Sequence, residues 1–243
     1  GIMERVANSA ILPVDQGMPD DLAAQLPYAK KCLEYMGFNV IELEGYEADD
    51  LIGTASKLDN CGEDVHSYVL TGDRDSLQLI SDSCSLILVK TKEDIVYNPA
   101  KFMEDYGVTP TQYIDVKAIM GDSSDNIPGV MGVGEKTALD LIKRFDNIDY
   151  IYENIDTIDI KEGVRAKLKN DKDNAYLSRF IGTINKQAPI DTAIESYKIA
   201  AMDKAKLSAL MTSLEFYKLM EKMGITPCSN AETKSECCDV CFN

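Results

Sequence analysis

The chain has 243 residues, of which 45% are hydrophobic, so it is long enough and apolar enough to bury a full core. Its 41 acidic residues against 25 basic ones give a net charge of −16, which argues against a generally basic coat for nucleic acid. An odd number of cysteines, seven, favours reduced thiols, and no apolar run or secretory signal is present, so we expect a cytoplasmic protein with no membrane partner.

The apolar periodicity predicts an α/β first half followed by a helical second half. We expect helices at 18–37 (kinked at Pro27), 47–58 and 76–80, and strands at 38–43, 65–70, 85–89 and 95–98. Further helices are expected at 99–106, 111–120, 135–145, 148–154, 164–184 and 204–223. Strands that alternate with helices predict a mainly parallel central sheet flanked by helices, with ligands at the carboxyl ends of its strands.

This pattern divides the chain into three predicted parts. Residues 1–120 form the α/β core, residues 121–225 form a helical subdomain, and residues 226–243 form a polar tail with four cysteines. The tail contains only one C-x-x-C pair, Cys238 and Cys241, and lacks the second spaced pair that is typical of a zinc site. We therefore interpret the tail as a linker.

Seven acids lie where the predicted topology brings chain segments to one edge of the sheet. They are Glu47, Asp49, Asp50, Asp73, Asp75, Asp122 and Asp125. Carboxylates without convergent His or Cys are typical ligands of Mg²⁺ or Mn²⁺, and two such ions roughly 4 Å apart could promote phosphodiester hydrolysis by water. At any single position the alternative is ordinary, because acids also cap helices and complement the helix dipole.

A glycine-rich turn follows the last acid pair and leads into a predicted helix. Gly129, Gly132 and Gly134 make this backbone permissive, and the bare N–H groups of the helix start at Glu135 attract phosphate. Lys136 lies in that first turn and adds positive charge beside it. The alternative is a tight connection without a ligand.

Taken together, residues 121–138 resemble the signature of the 5′ nuclease (flap endonuclease) family, the domain found at the N-terminus of bacterial DNA polymerase I. Residues 45–53, 71–79 and 106–115 resemble the same family, and the resemblance covers roughly residues 18–223. It implies that the seven acids surround the metal ions, with Asp50, Asp73, Asp75 and Asp122 in catalysis. It also implies a helix-hairpin-helix that binds DNA through Gly132, Gly134, Lys136 and Thr137, with a monovalent cation as a further candidate at the hairpin.

The family opens with a strand that carries a further metal-binding Asp, followed by a basic helical arch. Neither pattern precedes Met18, so we expect an N-terminally incomplete core. The resemblance implies a 5′-3′ exonuclease or flap endonuclease acting on DNA with a 5′ end or 5′ flap, and polymerase domains downstream in the full-length protein. Two alternatives stay open, namely a DNA-binding remnant that cannot cleave and an unrelated Mg²⁺-dependent phosphohydrolase.

Overall fold

A computed structural model describes residues 19–57, 65–191 and 193–228. These residues belong to two compact units. The first contains residues 43–57 and 65–191, and the second contains residues 19–42 and 193–228. The predicted boundary after residue 120 falls within the first unit and stays a prediction. Predictions for residues 1–18, and for Cys237, Cys238 and Cys241 of the tail, lie outside the described residues.

The helices and strands follow one another as an α/β half and a helical half. In chain order the helices are α1 (Asp20–Ala23), α2 (Leu26–Tyr35), α3 (Ala48–Ala55), α4 (Pro99–Tyr106), α5 (Pro110–Met120), α6 (Glu135–Phe145), α7 (Ile148–Glu153), α8 (Glu162–Asn170), α9 (Lys172–Gly182), α10 (Lys204–Ser213) and α11 (Tyr217–Met223). The strands are β1 (Ser67–Thr71), β2 (Cys84–Leu88) and β3 (Ile95–Tyr97), and 3₁₀ turns cover Asp75–Leu79 and Ile194–Tyr197.

The sheet of the first unit has the order β1-β2-β3 and is mixed. β1 and β2 are parallel with Val69 opposite Leu86, and β2 and β3 are antiparallel with Leu86 opposite Tyr97. Val69, Leu86 and Tyr97 are buried on one face of the sheet. The predicted α/β class with flanking helices is therefore confirmed, with one parallel and one antiparallel strand pairing.

Local capping explains why α4 begins at the predicted residue 99 and why α5 begins at residue 110, one residue before the predicted start. The Asn98 side chain accepts a hydrogen bond from Lys101 N at 2.8 Å at the start of α4. At α5, Thr109 and Gln112 form a reciprocal capping box, and Pro110 occupies the first helical position. These side chains satisfy N–H groups that would otherwise lack partners.

Helix α5 lies at the centre of the first unit, where it packs against α6, α9 and the 3₁₀ turn that follows β1. Its Tyr113, Val116 and Ile119 are buried together with Phe102 of α4. The end of α5 is consequently fixed on several sides. This fixed end carries the corner that holds the last acid pair.

Four of the expected elements differ from the structure. The strand predicted at 38–43 is wrong, because these residues have no strand partner within the described part of the chain. The helix predicted at 164–184 is interrupted at Asp171, and the one at 204–223 is interrupted around Glu215, which has a φ of 57°. Apolar periodicity continues through such breaks, so it does not locate them. The expected kink at Pro27 is a complete break between α1 and α2.

The second unit has a small core of its own. Leu207, Met211 and Met220 are buried and pack against Cys32 and Tyr35 of α2. A close backbone approach reinforces it, since Ala200 N donates to Gly37 O at 2.9 Å and a Cβ at residue 37 would lie 2.1 Å from Ala200 O. Among the helices described, none combines the length and apolar character needed to cross a membrane.

Candidate metal centre and nucleic-acid interface

The loop that leaves β1 positions Asp73 and Asp75. Thr71 Oγ1 accepts a hydrogen bond from Asp73 N at 3.0 Å, and Asp73 Oδ1 accepts one from Asp75 N at 2.8 Å. These short-range bonds form a side-chain turn of the kind that Asp and Thr favour. As a result, Asp75 begins the 3₁₀ turn at the carboxyl end of β1.

The corner after α5 positions Asp122 and Asp125. Asp122 and Ile127 exchange two backbone hydrogen bonds of 2.9 and 2.7 Å, and Asp122 Oδ1 accepts a bond from Ser124 N at 2.9 Å. Gly121 adopts a φ of 71°, and a Cβ there would lie 2.7 Å from Ile127 O, so glycine is required for this tight closure. The closure holds both carboxylates at the edge of the loop.

These two loops bring three carboxylates together. Asp75, Asp122 and Asp125 each offer an oxygen within 4.8 Å of the others, a spacing that could hold a metal ion. All donor atoms in this group are carboxylate oxygens, which suits a hard divalent cation. The predicted acids come from three segments of the chain, 47–50, 73–75 and 122–125. Acids of the second and third segments therefore meet directly.

A lysine that the sequence analysis did not single out lies inside this group. Lys117 Nζ lies 2.5 Å from Asp75 Oδ1 and 2.5 Å from Asp122 Oδ2, and its side chain is only 11% exposed. Lys117 is on α5, so its contact with Asp75 depends on tertiary packing. Spacing along the chain gives a signal only for Asp122, five residues further on.

The pKa values of the two carboxylates that contact Lys117 shift in opposite directions. Burial, together with repulsion from Asp73 and Asp122, raises the pKa of Asp75, although the hydrogen bond and charge of Lys117 act to lower it. Burial also acts on Asp122, but the hydrogen bonds from Lys117 and Ser124 outweigh it and lower the pKa of Asp122 to about 2. Equal contact distances thus give unequal shifts, because burial penalises the charge of Asp75 more strongly.

The acids at the start of α3, Glu47 and Asp49, lie near the same cluster. Burial raises the pKa of Asp49 to about 6, and repulsion from Asp73 and Asp75 adds to this effect. Burial likewise raises the pKa of Glu47, together with repulsion from Asp50, Asp49 and Asp125. The start of α3 therefore lies close enough to the other acids for their charges to interact.

The Asp50 carboxylate is partnered by a distant part of the chain, the segment after α9. It is buried, and its Oδ1 accepts a hydrogen bond from Asn185 N at 2.8 Å. Thr54 Oγ1 donates to the Asp50 carbonyl and in turn accepts from Ala188 N at 2.9 Å. These contacts attach α3 to the segment after α9, and a catalytic role of Asp50 stays a prediction.

The carboxylates line an open cavity of about 440 Å³. Its lining includes Asp73, Asp75, Asp122 and Asp125 together with Gly72, Arg74, Tyr113, Lys117, Met120 and Ser124. Arg74 is the second basic side chain in this lining, and the sequence analysis assigned it no role. The cavity can admit a charged group that is attracted to bound cations.

The hairpin between the corner and α6 presents the four predicted DNA-binding residues. Gly132 has a φ of 70°, and Lys167 Nζ donates to its carbonyl at 2.8 Å. Gly134 precedes the first residue of α6, and Lys136 is exposed in its first turn beside the partly exposed Thr137. The hairpin therefore combines a helix N-terminus with a nearby ammonium group.

Positive charge continues along α6. A surface cavity of about 650 Å³ is lined by both acidic and basic groups, and its basic side chains are those of Lys136, Lys143, Arg144 and Lys161. Arg144 also lies within 4.0 Å of Asp140 and Asp159, so part of its charge is compensated. Basic charge is thus local to this surface in a chain that is acidic as a whole.

Comparison with known protein families identifies this arrangement. The N-terminal resolvase-like domain of 5′-3′ exonucleases matches residues 15–107, and the C-terminal SAM fold of 5′-3′ exonucleases matches residues 108–205. The chain belongs to the 5′-3′ exonuclease family.

The curated relatives that match this chain are longer proteins. The chain is 38% identical over 214 residues to DNA polymerase I of Caldicellulosiruptor bescii, which covers 86% of this chain and 25% of the relative. It is 39% identical over 212 residues to DNA polymerase I of Bacillus subtilis, with coverages of 86% and 24%. The chain therefore spans about a quarter of the length of these relatives.

Two solved structures share the fold of this chain. T5 5′-exonuclease with bound divalent zinc ions aligns with a TM-score of 0.59 and 22% identity, covering 88% of this chain and 75% of the other. The catalytic core of Rad2 in complex with DNA substrate aligns with a TM-score of 0.58 and 15% identity, covering 90% and 72%. At these identities the likeness supports the fold.

Proposed function

We propose that this chain is a structure-specific 5′-3′ exonuclease or flap endonuclease that hydrolyses DNA phosphodiesters with water, in replication and repair. The observation that supports it most strongly is the convergence of Asp75, Asp122 and Asp125 within 4.8 Å, just before a hairpin that opens α6. Family membership supports the same reaction class. A generic phosphohydrolase would have no use for the hairpin.

The proposed cofactor is Mg²⁺ or Mn²⁺, with two ions bound. Asp75, Asp122 and Asp125 would hold one ion, and Glu47, Asp49 and Asp73 would provide further oxygen donors for the second ion. A divalent ion held by carboxylates supplies Lewis acidity and lowers the pKa of bound water. The chain contributes orientation, because Lys117 and Ser124 fix the carboxylate of Asp122.

The proposed substrate is DNA with a free 5′ end or a 5′ flap. Gly132, Gly134, Lys136 and Thr137 would hold the sugar-phosphate backbone, with a monovalent cation at the hairpin as a further candidate. Because the curated relatives are about four times as long, polymerase domains in the full-length protein are part of this proposal. A cytoplasmic location is also part of it, since those relatives are bacterial DNA polymerases.

Cleavage of a labelled 5′-flap duplex tests the proposal. We expect product with Mg²⁺ or Mn²⁺ and none with chelator, and Asp75→Asn or Asp122→Asn should each reduce the rate by more than about a hundredfold. Asp82→Asn is the matched control, because Asp82 is an exposed acid outside the cluster. Unchanged cleavage in both cluster variants would show the metal assignment to be wrong.

Binding of the same DNA separates the competing functions. A DNA-binding remnant would retain the duplex in a gel-shift assay yet give no product at any metal concentration. A phosphohydrolase would hydrolyse small phosphate esters and bind the duplex no better than single mononucleotides. Either result would overturn the proposed nuclease.

A further inference from the structure

The wall between the carboxylate cluster and α6 contains an arginine whose role has not been assigned. Arg74 lies in the chain between Asp73 and Asp75, and it lines the same cavity as both. The other basic side chain of that lining, Lys117, already contacts Asp75 and Asp122 at 2.5 Å. Arg74 is thus the basic group of the described lining that does not contact the cluster.

The contacts of Arg74 extend away from the carboxylates, toward the hairpin helix. Its Nη2 donates to Tyr106 Oη at 2.9 Å and to Glu135 Oε1 at 3.3 Å. Glu135 is the first residue of α6 and the neighbour of Lys136. Arg74 therefore connects the loop that carries two candidate metal ligands to the helix that begins the proposed DNA grip.

This geometry leaves some N–H groups of the Arg74 guanidinium available to donate hydrogen bonds to a ligand. Both hydrogen bonds use Nη2, and within the described residues Nη1 and Nε have no hydrogen-bond partner. The side chain is 51% exposed, so these N–H groups can reach a ligand in the cavity. A guanidinium presents paired N–H groups that match two oxygens of a phosphate.

The surrounding charge explains why a phosphate would need this arginine. Acids dominate the cavity lining, and Glu135 places a further negative charge at the start of α6. The ion pair with Arg74 offsets the charge of Glu135, which would otherwise repel a phosphate approaching the helix N-terminus. Because Arg74 lines the cavity and pairs with the first residue of α6, it lies within reach of a DNA strand bound at both the carboxylates and the hairpin.

We propose that Arg74 binds a substrate phosphodiester located between the one at the carboxylate cluster and those held by the hairpin. This inference rests on the proposed function, because it assumes that DNA occupies the cavity and α6 together. It assigns Arg74 a direct contact with substrate. The competing explanation is a structural one, in which Arg74 only braces Tyr106 and Glu135.

A backbone-charge experiment distinguishes the two explanations. The affinity of the chain for a 5′-flap duplex is measured in chelator at several salt concentrations, for the wild type, Arg74→Met, Arg74→Lys and Tyr106→Phe. Loss of one phosphate contact should reduce the slope of log affinity against log salt by about one in Arg74→Met, and leave it unchanged in Tyr106→Phe. Arg74→Lys should keep the slope and lose part of the affinity, because lysine keeps the charge without the paired donors.

Duplexes with a single neutral methylphosphonate then locate the contact. At one backbone position the methylphosphonate should reduce the affinity of the wild type about tenfold, relative to the unmodified duplex. The same substitution should leave the affinity of Arg74→Met unchanged, because this variant has already lost the contact. Equal losses for wild type and Arg74→Met at every position would overturn the proposal. If Arg74→Met fails to fold, the methylphosphonate series is measured with Arg74→Lys. A structural brace predicts the same loss of affinity as in the wild type at every position, whereas a paired phosphate contact predicts a smaller loss of affinity at that one position.

The outcomes for Arg74 and for the nuclease are separate. Normal cleavage together with an unchanged salt slope and methylphosphonate profile in Arg74→Met overturns the Arg74 contact alone. The expected slope and profile without any cleavage support the contact and overturn the nuclease. A wild-type chain that neither binds nor cleaves the duplex overturns both.

Discussion

At the scale of single residues, the ammonium of Lys117 would compete with a metal ion for the carboxylate oxygens of the cluster. Its ammonium lies 2.5 Å from oxygens of both Asp75 and Asp122, within the group that could coordinate a cation. Removing this charge leaves the carboxylates more attractive to a divalent ion. We expect Lys117→Met to bind Mn²⁺ more tightly, on the order of tenfold, in calorimetric titration at pH 8.

The matched control for this prediction is Lys101→Met. Lys101 also contacts two acids, Glu104 at 3.1 Å and Asp105 at 2.8 Å, but on the exposed surface of α4. Its removal should leave Mn²⁺ affinity unchanged. Equal or weaker Mn²⁺ binding by Lys117→Met would contradict the view that the ammonium and the metal ion compete for the same oxygens.

Candidate ligands could be predicted from the sequence, whereas their cationic neighbours could not. Asp73, Asp75 and Asp122 fall at loop positions that strand and helix ends define, and this placement follows from periodicity and glycine spacing. Lys117 and Arg74 act through contacts with residues 42 and 61 positions away, which no local pattern encodes. The hydrogen bond from Asn185 N to the Asp50 carboxylate joins residues 135 positions apart, so it too could not be predicted from the neighbours of Asp50 in the chain.

At the scale of elements, the corner between α5 and the hairpin depends on glycine. Gly129 has a φ of 59°, and a Cβ there would lie 2.4 Å from Gly121 N and 2.6 Å from Gly121 Cα. Both atoms belong to backbone that cannot rotate away. We expect Gly129→Ala to lower the free energy of unfolding by about 2–4 kcal/mol in urea denaturation followed by circular dichroism.

Gly163→Ala provides the comparison for this prediction. Gly163 lies in α8, and an added Cβ meets no atom within 4 Å. Stability should be unchanged or higher by less than about 1 kcal/mol, because alanine has the better helix propensity. Equal urea midpoints for the two variants would mean that the corner adjusts to a side chain and does not hold the acid pair rigidly.

Element boundaries could be predicted where they are local and not where they depend on tertiary contacts. α4 begins at Pro99, as predicted, and α5 begins at Pro110, one residue before the predicted start. The break between α8 and α9 falls at Asp171, whose carboxylate accepts a hydrogen bond from Met131 N of the hairpin at 2.8 Å. That bond joins residues 40 positions apart, so helical periodicity alone predicted one continuous helix.

At the scale of the whole molecule, we expect the excess of negative charge and the acid cluster to make the free energy of unfolding depend on divalent cations. Burial raises the pKa of Glu47, Asp49 and Asp125, and repulsion from neighbouring acids adds to this effect, so folding with these carboxylates charged has a cost in free energy. A cation that binds the folded chain stabilises it by mass action, by about 2.7 kcal/mol at a hundred times its dissociation constant. We expect Mg²⁺ or Mn²⁺ to raise the unfolding temperature by roughly 5–10 °C in scanning calorimetry at pH 8.

This stabilisation should belong to the unit that contains the carboxylates, residues 43–57 and 65–191. The double variant Asp75→Asn, Asp122→Asn should unfold at a temperature that no longer depends on the divalent ion, because two of the three converging ligands are lost. Its metal-free unfolding temperature reports the net effect of removing two charges from the cluster and both ion pairs of Lys117. A metal response of the same size in wild type and double variant would mean that the ion binds elsewhere on the acidic surface, and the site assigned to these loops would be wrong.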